Sequence, residues 1–207
     1  MDALLGDAPH RAATLLHTLT HRELPIESIL CDLMARAEIA LRTRSEQCAY
    51  GTLDLTLAVC RLRMLALELV HEAASQSHAA ASNRHNAAIF SLAGDSLRFD
   101  AILPECLLRL AGIDVIATQN VSVEDVPGLD AAWQATDHHV IVLNDFHLLS
   151  RSTELIRCLR AADTNPAHRW IGSGRAYAAG SANPPTLGLD RILLRPQQLV
   201  QTILTRH

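Results

Sequence analysis

The sequence predicts an α/β protein in two parts, an N-terminal helical bundle followed by a doubly wound, five-stranded parallel sheet. Three observations predict it. The first 75 residues place apolar side chains at three- and four-residue steps, the period of a helix face. From Ala87 onward, short apolar runs alternate with helical patterns, as expected of a parallel sheet covered on both faces. Between them, Ala73 to Asn86 is small and polar, the composition of a linker. The expected boundaries are a bundle over residues 1–75, a linker over 76–86 and the sheet domain over 87–207.

The elements follow in order. Residues 10–20 make a short first helix. Pro25 suits the first turn of the second, because it lacks only an N–H that would be unpaired there. Ile26, Ile29, Leu30, Leu33, Met34, Ala37 and Leu41 form its apolar face. Leu53 to Val70 is apolar on most sides, with Arg61, Arg63 and Glu68 among its few charges, so it is expected at the centre of the bundle. In the second half, strands are expected at Ala87–Leu92, Ile113–Ala117, His139–Leu143, Arg169–Ile171 and Leu189–Leu194. Between them lie a helix over Ile102–Leu110 ended by Gly112, one from Ser122 with Asp125 as its capping partner, and one over Thr153–Ala162. Pro196 opens a last helix. Five strands threaded in this way predict a flavodoxin-like order.

Composition removes whole classes of function. All 18 basic residues are arginine. Without lysine there is no Walker A phosphate loop, no phospho-accepting receiver and no Schiff-base chemistry. A net charge of −4 gives no global field toward nucleic acid. Met1–His10 holds two aspartates and no long apolar run, so no signal peptide is expected, and no apolar stretch approaches the ~18 residues of a membrane span. Five scattered cysteines with no C-x-x-C pair suit reduced thiols in the cytoplasm.

In a doubly wound sheet, ligands bind beyond the carboxyl ends of the strands. Three loops leave that edge: Gly94-Asp95-Ser96 after the first strand, Asn144-Asp145-Phe146-His147 after the third, and Gly172-Ser173-Gly174 after the fourth. Glycines and aspartates also serve simply to end strands and cap helices. A dinucleotide reading of the last loop is weak, since Tyr177 stands at the third-glycine position and the motif follows the fourth strand.

A bundle followed by such a domain resembles the cobalamin-binding modules of methionine synthase, of corrinoid methyltransferase shuttles and of light- or redox-responsive regulators. Their signature is Asp-x-His-x-x-Gly after the first strand, Ser-x-Leu after the third and Gly-Gly after the fourth. At the matching places this chain has Asp95-Ser96-Leu97-Arg98-Phe99-Asp100, Asn144-Asp145-Phe146 and Gly172-Ser173-Gly174, and Leu187-Gly188-Leu189-Asp190 precedes the last strand as in the family. The resemblance implies a cofactor-binding set of Asp95, Ser96, Leu97, Asn144, Phe146, His147, Gly172, Ser173 and Gly174. Leu97 stands where the family's histidine ligates cobalt, and Asp100 replaces the glycine against which the nucleotide tail lies. Over the upper face, Cys48, Ala58 and Val59 occupy the places of the regulators' tryptophan and Glu-His pair.

The resemblance therefore implies cobalamin held base-on, with the cofactor's own benzimidazole as lower ligand. Haem is the alternative tetrapyrrole, with His147 the foremost candidate among eleven histidines and Cys48 and Cys60 as distant ones. A pocket that binds neither is the third reading. Asp95, Asp145 and His147 would allow an acid–base pair, but no nucleophile elbow or metal-ligand spacing accompanies them, so no catalytic residue is expected. The expected function is a regulatory or sensory module acting through protein contacts; the alternatives are a corrinoid carrier subunit and a haem sensor. Its expected partner is a regulatory or enzyme protein, with a homodimer as the form of self-association and neither nucleic acid nor membrane as a partner. The arginines 36, 42, 44, 61 and 63 offer a face to an acidic partner, though such a face is more commonly just solvated.

Overall fold

The computed structural model describes residues 9–22, 24–47, 51–77, 85–95, 98–178 and 183–205. Helix α1 is Pro9–His21. Helix α2 begins at Ile26–Ser28, widens into a π-helical segment at Ile29–Met34 and continues as Ala35–Glu46. Pro25 stands just before its first residue with an extended ψ of 131°. Helix α3, Thr52–Ser77, is the longest. It continues through Ala73–Ser77, the first part of the expected linker, and residues 78–84 of that linker lie outside the described residues.

The sheet follows the predicted order. Strands β1 (Asn86–Leu92), β2 (Asp114–Val121), β3 (His138–Val142), β4 (Arg169–Ser173) and β5 (Arg191–Leu193) lie as β2-β1-β3-β4-β5, all parallel. Helices α4 (Leu103–Leu110), α5 (Leu149–Ala162) and α6 (Pro196–Leu204) cover it. Side chains alternate across the strands as a pleat requires. Ala88, Phe90, Ile141 and Trp170 pack with Leu155, Ile156 and Leu159 of α5 on one face, while Ala87, Ile89, Val140 and Ile171 meet Leu108 of α4 and Leu199 and Ile203 of α6 on the other.

The helix expected from Ser122 does not form. Its start signal is real: the Ser122 N–H and hydroxyl both donate to Asp125 Oδ2, at 2.8 and 2.7 Å. Pro127 then offers no N–H to the preceding turn, and the chain makes two 3₁₀ segments instead, Val123–Gly128 and Ala131–Ala135. Val126 and Trp133 project from them and still cover that face. Helix α3 also departs from expectation. Leu53, Leu57 and Met64 are exposed with Cys60, so one side of this helix is an apolar stripe and not buried core.

The bundle packs on α4. Leu30, Met34, Leu41, Ala58, Leu62 and Ala66 form one cluster with Phe99, Ile102, Leu103, Cys106 and Leu107, while Leu108 of the same short helix faces the sheet. Among the described residues, no helix is long and apolar enough to cross a membrane.

Leu107→Ala is expected to cost about 2–5 kcal/mol, the range for a truncated core leucine. Because α4 belongs to both clusters, helical circular dichroism and the fluorescence of Trp133 and Trp170 should shift to the same lower denaturant midpoint. Separate midpoints would show that bundle and sheet unfold independently.

Candidate functional site

The three loops meet at the carboxyl edge, and Asp95 is what joins them. Gly94 takes a φ of +95°, turning the chain after β1 so that Asp95 points inward, fully buried. Its Oδ2 accepts from the Asn144 N–H at 2.9 Å and its Oδ1 from the Asp145 N–H at 2.9 Å. The Asn144 side-chain oxygen in turn accepts from the Arg175 N–H at 3.4 Å. One carboxylate thus clamps the β1 loop to the β3 loop, which holds the β4 loop. Burial raises the Asp95 pKa, while the Asn144 and Asp145 N–H groups work in the opposite direction.

Asp100 lies in the 3₁₀ turn Phe99–Ala101, at the junction with α2. Burial and the facing Glu38 raise its pKa, against the pull of Arg98 and Arg42. Glu38 is itself buried and held by Arg42, with the guanidinium 2.6 Å from its Oε1. Arg175 approaches Asp100 at 3.9 Å. Of the expected arginine face, Arg42 is therefore engaged within the fold, and Arg63 donates to Gln119 at the end of β2.

The remaining expected residues are placed as follows. Phe146 is exposed, with its ring 3.8 Å from that of exposed His147, whose N–H donates to Asp145 Oδ1. Gly172 and Ser173 belong to β4 itself, one step short of the loop. The Ser173 carbonyl accepts from Leu143 N–H at 2.9 Å, and Gly174, at a φ of +121°, sits against the Leu143 carbonyl where any side chain would collide. Ser96 and Leu97 lie outside the described residues, as does Cys48. Ala58 and Val59 are buried, and Cys60 is exposed on α3.

One residue at this edge has a role the sequence did not predict. Tyr177, in the 3₁₀ turn Arg175–Ala178, folds back over Gly172. A Cβ on Gly172 would lie 3.2 Å from the Tyr177 ring and 2.7 Å from Leu189 Cδ1. Tyr177 is buried, and burial pushes its phenol pKa up. The sequence signal was its place within the glycine motif, where it marks a departure and nothing more.

No family model matches the sequence, and no curated protein matches it. Among solved structures, the monomethylamine corrinoid protein of Methanosarcina barkeri is similar, with a TM-score of 0.74 over 98% of this chain and 94% of that one, at 14% identity. The chain has the cobalamin-binding-domain fold. A cobalamin-binding protein from Desulfitobacterium hafniense DCB-2 matches over 97% of this chain and 93% of its own, at 12% identity and a TM-score of 0.47.

Within that fold the site's own side chains test the implied cofactor. The surface of Gly172 is covered by Tyr177 and Leu189, and Asp100 brings a carboxylate to the place expected of a glycine. These residues do not fit a corrinoid whose nucleotide tail lies against the strand backbone. The exposed rim at Phe146 and His147 is open.

Asp95→Ala is expected to leave the buried Asn144 N–H without an acceptor, at about 1–3 kcal/mol, and the half-buried Asp145 N–H at less, and Asp95→Asn should cost less because one acceptor remains. Chemical denaturation of both variants checks the order. Asp100→Asn should stabilise the protein. A raised folded-state pKa means that the carboxylate weakens the fold above that pKa and leaves it untouched well below the ordinary 3.8. The gain in Tm should therefore grow as pH rises from about 3.8 through the raised folded-state pKa and stay level above it, at about 2–4 °C for each kcal/mol. Scanning calorimetry across that range tests the sign.

Proposed function

We propose that the chain is a regulatory module with the cobalamin-binding-domain fold that works through protein contacts and does not hold a corrinoid by its nucleotide tail. The observation that carries this reading is the covered Gly172: Tyr177 and Leu189 occupy the space beside the strand that a tail would need. The loops point the same way, because Asp95 and Asn144 spend their hydrogen bonds on each other and on neighbouring backbone. A regulatory protein partner is supported by the apolar stripe of Leu53, Leu57 and Met64 on α3. Among the described residues of the edge, none has the arrangement of a nucleophile with its base, and the module is proposed as non-enzymatic.

The second reading is a corrinoid carrier subunit. It is favoured by the likeness to a protein whose own name is monomethylamine corrinoid protein. A carrier of this kind would hold its cofactor base-on over Phe146 and His147, since leucine at position 97 offers cobalt no donor. Haem on His147 is the reading that rests on least, a single exposed imidazole.

Absorption spectra of the purified protein, incubated with hydroxocobalamin or haemin and then desalted, separate the three. The regulatory reading expects a colourless protein. Retained corrinoid bands would replace it with the carrier, and a Soret band lost in His147→Ala would replace it with the haem sensor. Leu97→His with Asp100→Gly is expected to gain no corrinoid until Tyr177→Ala is added. Full binding by the double variant would show that Tyr177 does not close the slot.

A further inference from the structure

Three side chains with metal-ligating atoms meet at the opposite, amino edge of the sheet. His139 is the second residue of β3, Asp163 follows the last residue of α5, and His168 immediately precedes β4. One donor atom from each lies within 4.8 Å of the others. Their side chains are 0, 5 and 5% exposed.

The hydrogen bonds define what each atom offers. His139 Nε2 lies 3.1 Å from the Trp133 carbonyl, which can only accept. Nε2 therefore carries the ring proton, and Nδ1 presents a lone pair. That Nδ1 is buried with no hydrogen-bond partner among the described residues. It faces Asp163 Oδ2 across 3.7 Å, so a lone pair looks at a carboxylate with nothing positive between them. Burial without a partner is unfavourable for such an atom. A backbone carbonyl on the far nitrogen is also the usual way of orienting a metal-bound imidazole. Ligand atoms about 2.0–2.1 Å from a tetrahedral zinc stand roughly 3.3 Å apart, between the 2.8 Å of His168 Nδ1 to Asp163 Oδ1 and the 3.7 Å of His139 Nδ1 to Asp163 Oδ2. The rings of Trp170 and Trp133 lie 4.4 and 5.1 Å from that of His139 and wall the site.

We propose that His139 Nδ1, the Asp163 carboxylate and His168 Nδ1 bind one divalent transition-metal ion of the zinc class, with water in the fourth position. Without metal, His168 Nδ1 lies 2.8 Å from Asp163 Oδ1, and its Nε2 accepts from Asn165 Nδ2 at 2.9 Å. On binding, His168 moves its ring proton from Nδ1 to Nε2. Asn165 turns its amide oxygen to accept from Nε2, giving up the bond it accepts from the Ala167 N–H. No proton is released in this exchange. The ion would tie β3, the end of α5 and β4 together, a structural role at the edge away from the loops.

His17 and His21, one helical turn apart on α1 with Nε2 atoms 3.2 Å apart, form an exposed pair that would compete for added metal. The test therefore uses the full chain carrying His17→Ala and His21→Ala. Titration with Co²⁺ should give one equivalent with tetrahedral visible bands, and Zn²⁺ should displace it and raise Tm. His139→Gln and Asp163→Asn should each weaken binding by at least about tenfold. X-ray absorption of the zinc-loaded protein, which needs no further variant to fold, should show two imidazoles and a carboxylate oxygen. The proposal fails if no bands and no Tm shift appear, if both variants bind as well as their parent, or if the zinc shell lacks two imidazoles.

Discussion

Helix α4 leaves almost no face to water, and the arrangement of the two halves follows from that. Leu108 belongs to the sheet, while Leu103, Cys106 and Leu107 belong to the bundle. Moving the bundle away would expose these together with Phe99 and Ile102, at about 1.5–3 kcal/mol for each large side chain. The bundle is therefore part of the core and not a lid resting on it. Even the charge within α4 is bound into this joint. Buried Glu105 is held by Arg109 at 3.0 Å, and the same guanidinium donates to the Val115 carbonyl of β2. An ion pair so placed ties the helix to the edge strand and leaves no uncompensated charge inside.

Periodicity made the fold legible. A two-residue repeat separates Ala87 and Ile89 from Ala88 and Phe90, a three-to-four-residue repeat marks α2, and the parallel order follows from their alternation. The failures have local causes. Ser122 and Asp125 do form a helix start, but Pro127, two residues later, stops propagation, and a start signal says nothing about length. The stretch around Leu57 and Met64 is rich enough in apolar residues to look buried, yet burial depends on which neighbours exist, and one side of α3 has none among the described residues.

The site was half legible. Asp95, Asn144 and Gly174 announce themselves as loop residues, and the structure brings them together. Their mutual bonding was hidden because it joins positions 49 residues apart through the register of β1 on β3. Tyr177 was hidden for another reason. Its ring reaches Gly172 only because a 3₁₀ turn reverses the chain after β4, and nothing in residue type specifies that reversal. The two aspartates of the first loop show how burial alone does not determine a role. Asp95 gives each oxygen a backbone N–H and becomes a clasp, whereas Asp100 faces Glu38 and three arginines and remains a charge in an unsettled balance.

A parallel sheet makes two chemically unlike edges, and function is ordinarily expected at the carboxyl one, where loops and helix starts converge. In this chain several polar groups of that edge bond to one another: Asp95 with Asn144 and Asp145, Asn144 with Arg175, and Asp145 with the His147 backbone N–H. Bonds of this kind between loops hold them in fixed positions, which suits rigidity. At the amino edge the accounting differs. His139 has one nitrogen committed to Trp133 and the other left over in a buried, aromatic-walled space beside a carboxylate. Unspent donor capacity is what distinguishes a site from a structural network. By that criterion the proposed metal site rests on the amino edge, where the chain's own residues leave a lone pair unanswered.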